Sequence, residues 1–362
     1  MKKLISLFIV LVLAFAIAPA CSINKTEVSV LWSDYSAERA LKAECSEIQA
    51  TFADAFDRGA YIEKIDHVDY DAEGDSTKQL QQAKDALAKG CSALVVYPTD
   101  VITAASIASE AKAKDVPVTF LADSSVTIAL IQAATLIVNY DKITFVSVDS
   151  ISLASVLGNR IATDLIDNYT AYDRNGDGKI SCASFGANLD VISVINSKLA
   201  EEEKAELEVT TLAPIGVALS IKTVFGEWNG EGNEKTATPV ELILSDNDDY
   251  AEELLLALRE YQLNHKKLVT HFIPLYTVGV SANAGELIDS TKEEEKAAYS
   301  VMNAIDNGYL SAAALEDDDT IALAIASIIR NQLKGKDLMK GVNADLVQED
   351  GKTVLVPYTI YG

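Results

Sequence analysis

The chain has 362 residues, with 30 Lys and Arg against 54 Asp and Glu, a formal charge of −24, and 49% hydrophobic residues. That apolar share excludes a mainly disordered chain, and the length fits two domains of about 150 residues. The acidic excess argues against nucleic-acid binding and against docking on anionic lipid headgroups, both of which need Lys and Arg.

Residues 1–20 read as an export signal. Lys2 and Lys3 precede an apolar run from Leu4 to Ala18, broken only by Ser6, and Pro19 and Ala20 lead to Cys21. The run is shorter than the ~20 residues of a spanning helix. A Cys directly after a small residue at the end of such a run resembles a bacterial lipobox, which makes Cys21 the expected lipidation site. Ordinary cleavage nearby, leaving Cys21 a thiol, is the alternative. Removing the signal takes away two lysines and no acids, so the charge moves from −24 to −26.

Short β-branched runs then alternate with helical patterns. Glu27–Trp32 predicts a strand, Ser36–Phe56 a helix and Tyr61–His67 an extended segment. Ser76–Lys89 predicts a helix stopped by Gly90, because Gly tolerates the left-handed conformation that ends helices. Ser92–Tyr97 and Val116–Leu121 predict buried strands, with helix Val101–Lys114 between them. Val126–Val138 is the most apolar later stretch, too short and too polar at its Thr and Gln to cross a bilayer. The pattern restarts with strand Ile143–Val148 and helix Leu153–Tyr169. Strands follow at Lys179–Phe185, Leu207–Leu212, Glu241–Ser245 and Leu275–Val280, with helices Val191–Glu206 and Tyr250–Leu263 among them. Helix Thr320–Lys334 and strands Ala344–Gln348 and Thr353–Tyr358 complete the chain. The rhythm predicts an α/β fold of two doubly wound parallel-sheet lobes, with a ligand cleft at the strand carboxyl ends.

Cys45, Cys91 and Cys182 fit neither a zinc motif nor a disulfide framework, and Cys91 and Cys182 stand at strand entrances as buried apolar residues would. The most ordered chemistry lies at 173–181, Asp-Arg-Asn-Gly-Asp-Gly-Lys-Ile-Ser. Asp173, Asn175 and Asp177 alternate, so a turning loop aims three side-chain oxygens inward, and Gly178 permits the sharp turn. Lys179 offers its carbonyl and Ser181 a hydroxyl or a water. Hard oxygens in that number suit Ca²⁺. The twelfth position is Ser184 rather than a bidentate Glu, and a β-run follows, so the motif is half of an EF-hand. A solvated Asx-rich turn without metal is the alternative.

Across the mature chain the segments DALAKGCSALVVYPTD, VPVTFL, VSVDSISLASVLGNRIATDL, YDRNGDGKIS, VELILSDNDDYAEELL and VLVPYTIYG resemble the periplasmic galactose/glucose-binding proteins of bacterial ABC importers. The resemblance implies the type I periplasmic-binding-protein fold, two lobes joined by a three-stranded hinge. The first lobe would comprise 24–148 plus 317–345 and the second 149–316 plus 346–362. It implies that Glu241 completes the calcium shell, and that Ca²⁺ is structural. It places sugar-contacting candidates at Asp34, Tyr35, Asp123, Asp190, Asn247, Ser281, Asn283 and Glu316. Several depart from the family pattern: Ala122 stands where an Asn is usual, Glu316 where a hinge Asn is usual, and no His or Arg occurs between 183 and 200. Asn247 also lies in an acidic helix-capping run, Asp246–Asp249, and Trp32 at a strand end suits a cleft or a core.

No Walker loop, nucleophile elbow, H-E-x-x-H or strand-linked G-x-G-x-x-G occurs, so no enzyme is expected. The expectation is an exported, membrane-anchored lipoprotein, monomeric, that binds a monosaccharide and presents it to an ABC permease, with a chemoreceptor as a second candidate partner. It would touch the membrane only through its lipid. The rival is a sensory or scaffold lipoprotein that keeps the fold and calcium but binds no sugar.

Overall fold

In this computed structural model the described residues are 26–34, 65–186, 188–212, 240–260, 272–279 and 301–362. The expected helix Ser36–Phe56 lies outside them, as do Cys21, Tyr35, Cys45, Ser281 and Asn283.

Among the described residues the first half runs β1 (Thr26–Trp32), β2 (Ile65–Asp71), α1 (Ser76–Lys89), β3 (Ala93–Val96), α2 (Val101–Lys114), β4 (Val118–Ala122), α3 (Ser125–Thr135), a 3₁₀ turn (Leu136–Val138) and β5 (Ile143–Asp149). The second half runs α4 (Ser150–Asp167), α5 (Tyr169–Tyr172), β6 (Ser181–Phe185), α6 (Leu189–Glu201), β7 (Glu208–Leu212), β8 (Leu242–Ser245), α7 (Asp248–Glu260), β9 (Leu275–Val278), α8 (Val301–Asp306) and β10 (Ala312–Leu315). α9 (Asp318–Leu333), a 3₁₀ turn (Ala344–Leu346), β11 (Thr353–Pro357) and β12 (Thr359–Tyr361) follow.

Local chemistry sets these boundaries. The Asp75 carboxylate accepts the Thr77 and Lys78 amides at the start of α1, and Gly90, at φ 86°, closes its end. Asp100, Ser124 and Asp317 cap α2, α3 and α9 in the same way. β3 and β4 are buried at every position, as strands covered on both faces must be.

Two six-stranded sheets result, ordered β11-β5-β4-β3-β1-β2 and β12-β10-β9-β8-β6-β7. The first is wholly parallel, and in the second only the β10–β12 pair is antiparallel. Alternation along β1 sends Val28, Val30 and Trp32 into one core with Ile321, Ile325 and Ile329 of α9. Leu31 points into the other, with residues of α1, α2 and α3. The second sheet is likewise covered on both faces. The architecture is two doubly wound α/β lobes.

Two expectations need correction. Ala344–Gln348 is not a strand: Asn343 accepts the Asp345 amide and turns the chain into the 3₁₀ segment, leaving only a bridge from Val347 to Val354. Residues 346–362 do not belong wholly to the second lobe. β11 pairs with β5 in the first sheet, with Val354 and Val356 in its core, and only β12 joins the second. The helix α3 and the strands β10 and β12 went unanticipated.

The chain passes between the sheets three times: from β5 into α4, from β10 into α9, and from β11 into β12. Each passage leaves a strand at its carboxyl end. The carboxyl ends of both sheets therefore meet at the crossovers.

Candidate functional site at the crossovers

Hydrogen bonds tie the crossovers together. Ser125 Oγ and Ser150 Oγ lie 2.8 Å apart, the Tyr358 amide donates to Ser152 Oγ at 3.0 Å, and the Tyr358 hydroxyl donates to Glu316 Oε1 at 3.1 Å. Glu316 Oε2 is buried and accepts no hydrogen bond among the described residues. Glu316 thus sits in the hinge, where the resemblance placed it.

The other predicted ligand-binding residues divide by role. Asp34, directly beyond β1, is half-buried, and Asp123, directly beyond β4, is exposed. Both stand at strand carboxyl ends, as the expected cleft requires. Asp190 is exposed in the first turn of α6. Asn247 follows β8 and is engaged on both sides: its Oδ1 accepts the Tyr250 amide at 2.9 Å and its Nδ2 donates to Asp246 Oδ1 at 3.0 Å. The capping role of Asn247 is therefore present in the structure.

Residues not named from sequence as ligand-binding candidates share this end. Asp71, Asp100, Asp149 and Asp246 lie at the ends of β2, β3, β5 and β8. The signal was plain only for Asp149, which directly follows the run Ile143–Val148; Asp71 ends a strand that alternates with acids, and Asp100 stands four residues beyond β3. Asp100 is held below the usual carboxylate range: burial raises it, but hydrogen bonds from the Ser76 hydroxyl (2.5 Å), Thr103 and the Ile102 amide outweigh that. Gly186, at φ 84°, lets the Asp246 carboxylate lie where a Cβ would stand, 1.9 Å from its nearest oxygen. Trp32 belongs to the core, 1% exposed, with its indole N–H donating to Asp69. The strand ends named here carry carboxylates and amides and no cationic side chain.

Away from the crossovers, the 173–181 loop and Glu241 do come together. Glu241 is fully buried below the loop. Its Oε1 accepts the Arg174 amide at 2.7 Å and the Asn175 amide at 3.4 Å, and its Oε2 accepts the Ser181 amide at 3.0 Å. Burial raises its pKa against those amide bonds, and Asp173 raises it further. Within the loop, Asp173 accepts the Asp177 and Gly178 amides, Asn175 Oδ1 the Asp177 amide, and Asp177 Oδ1 the Lys179 amide. The Tyr169 hydroxyl donates to the Gly178 carbonyl at 2.8 Å. In kind, these hard oxygens fit Ca²⁺. As arranged they are occupied by the loop's own amides, and among the described residues no three acidic, His or Cys side chains converge to hold a metal.

Among solved structures the chain is similar to an ABC transporter solute binding protein from Bacillus halodurans C-125 with bound myo-inositol, at 16% identity, covering 93% of this chain and 94% of that one, TM-score 0.52. It is similar to the periplasmic component of the arabinose ABC transporter from Shewanella sp. ANA-3 bound to L-arabinofuranose, at 17% identity, 93% and 91% coverage, TM-score 0.53. It is also similar to an ABC transporter periplasmic solute binding protein from Actinobacillus succinogenes 130z with bound D-allose, at 13% identity, 93% and 97% coverage, TM-score 0.56. At these identities the likeness is one of fold. No curated protein matches the chain. Residues 45–337, well over half of the chain, match the family described as periplasmic binding protein domain, and the chain belongs to that family.

Proposed function

We propose that this protein is the extracytoplasmic solute-binding component of an ABC importer, that it is not an enzyme, and that its ligand is a monosaccharide or related polyol bound between the lobes. The observation that carries this is the meeting of both sheets' carboxyl ends at three crossovers, with Asp34, Asp123, Asp246 and Glu316 placed there. Carboxylates accept hydroxyl hydrogen bonds strongly, so carboxylates at these strand ends suit a polyhydroxylated neutral molecule. A ligand that touches both lobes only when they are closed shifts the open–closed equilibrium, which is the signal a permease reads. The neighbours' ligands, myo-inositol, L-arabinofuranose and D-allose, support the ligand class and leave galactose or glucose as particular choices within it.

The test is a thermal-shift screen against galactose, glucose, arabinose, allose and myo-inositol. One of them is expected to raise the melting temperature, since a ligand at a hundredfold its Kd adds about 2.7 kcal/mol. The effect should vanish in Asp123→Ala. No shift with any of them overturns the sugar reading and favours the sensory or scaffold protein.

The sequence of the signal supports export and lipidation at Cys21. The loop sequence supports a structural Ca²⁺ held by Asp173, Asn175, Asp177, the Lys179 carbonyl and Glu241, with Ser181 adding a hydroxyl or a water. Binding requires the carboxylates to turn from the amides they now accept. Added Ca²⁺ should raise the melting temperature and a chelator reverse it, and both effects should be lost in Asp173→Ala. A chelator-insensitive melt makes the loop a metal-free turn.

A further inference from the structure

Because the first sheet is wholly parallel, the amino ends of its strands, from Thr26 of β1 to Thr353 of β11, share the edge opposite the crossovers. α3 ends at this edge and runs on into the 3₁₀ turn Leu136–Val138. Leu136 is 76% exposed and Ile137 90%, and Val126 and Leu130 continue the exposed stripe back along the helix. No charged residue occurs between Asp123 and Asp141. The projection is braced rather than loose: the Lys112 ammonium donates to the Val138 carbonyl at 2.6 Å and the Asn139 carbonyl at 3.0 Å. Beside it opens a cavity of about 640 Å³ lined by Leu136, Ile143, Phe145, Gln132, Tyr140 and Lys352.

Charge is also distributed unlike the rest of the protein. Lys89, Lys112, Lys114, Lys142 and Lys352 stand at this edge with Glu27, Asp115, Asp141, Glu349 and Asp350. Cations and acids balance here, in a chain with a formal charge of −24. An anionic surface that repels the molecule as a whole does not repel this edge.

The chain enters the same edge. Only Ser22, Ile23, Asn24 and Lys25 separate Cys21 from Thr26, a reach of at most roughly 18 Å. β4, which leads into α3, is two strand spacings from β1, about 10 Å. A lipid on Cys21 therefore keeps this edge within roughly 18 Å of the bilayer.

We propose that Leu136 and Ile137 insert into the lipid interface, so that the first lobe rests on the membrane by the amino edge of its sheet. The proposal rests on the lipidation of Cys21 and adds a second, protein-borne contact to it. Two weak attachments together hold a protein where a single short one does not.

The test uses the full lipidated chain in vesicles of phosphatidylethanolamine and phosphatidylglycerol. Tryptophan is introduced by Ile137→Trp and, at the opposite end of the lobe, by Ile102→Trp, 76% exposed in the native chain. With brominated acyl chains, Ile137→Trp is expected to shift to the blue and lose roughly half its added emission, as a side chain ~5–10 Å into the headgroup–acyl boundary would. Ile102→Trp is expected to be unaffected. Protein that floats with the vesicles while Ile137→Trp stays unquenched overturns the proposal and leaves the anchor standing. Quenching of both positions overturns it as well, as does a blue shift that appears without vesicles together with a dimer in sedimentation. If mass spectrometry of the membrane-extracted native chain finds no lipid on Cys21, the anchor reading fails and the proposal with it.

Discussion

Burial decides the chemistry of the cysteines. Cys91 is 4% exposed and Cys182 2%, each beside or within a strand of a different sheet. Burial pushes the Cys91 thiol up to about 11, with a further raising effect from Glu27, and it pushes Cys182 up as well. Since the thiolate is the reactive form, neither should react with an aromatic disulfide reagent at pH 8 in the native protein, and both should react once guanidinium unfolds it. Native-state reaction of either, at the denatured rate, contradicts the burial described here. At this scale the sequence was readable where neighbours in the chain act together. Asp173, Asn175 and Asp177 sit two apart, and the structure turns them into one loop. Glu241 lies more than sixty residues away and no local pattern finds it; only resemblance to a family did. Asn247 was readable as a helix cap because the acids around it announce a helix start.

Helix packing in the second lobe depends on one missing side chain. α4 and α6 approach at Gly158, where a Cβ would lie 2.8 Å from the Val194 side chain and 3.1 Å from the Val191 carbonyl. Gly158→Ala should destabilise by about 1–3 kcal/mol through overpacking, although Ala is the better helix former. Val194→Ala in the same chain should recover part of the loss, and denaturant melts of the single and double variants measure the coupling. An additive result means the helices do not meet there. Elements with punctuation were the legible ones: α1 and α2 have an Asp before them and a left-handed residue, Gly90 or Asp115, after them. β10 is Ala-Ala-Ala-Leu, a composition without β preference. It is a strand because its neighbours β9 and β12 pair with it, which is information from elsewhere in the chain.

In the whole molecule, neither lobe is continuous in sequence. The two-lobed plan followed from the repeated βα rhythm, but the closing segment divided differently from the expectation. Two strands separated by a single residue, Tyr358, are too short for periodicity to assign them to different sheets. Deleting residues 353–362 removes β11 from the first sheet and β12 from the second. That variant should lose the cooperative thermal transition of both lobes together in circular dichroism, and become protease-sensitive throughout. Survival of a folded first lobe would show that β11 is dispensable to it.

β11 reaches its partner β5 only after some two hundred residues have been made, which at about 5–20 residues per second is roughly 10–40 s of synthesis. Until then the first sheet lacks its outermost strand and its core lacks Val354 and Val356. A ribosome-bound chain therefore cannot complete its first sheet until translation is nearly finished. A premature stop codon at position 353 would therefore remove an outermost strand from each sheet while sparing all but ten residues.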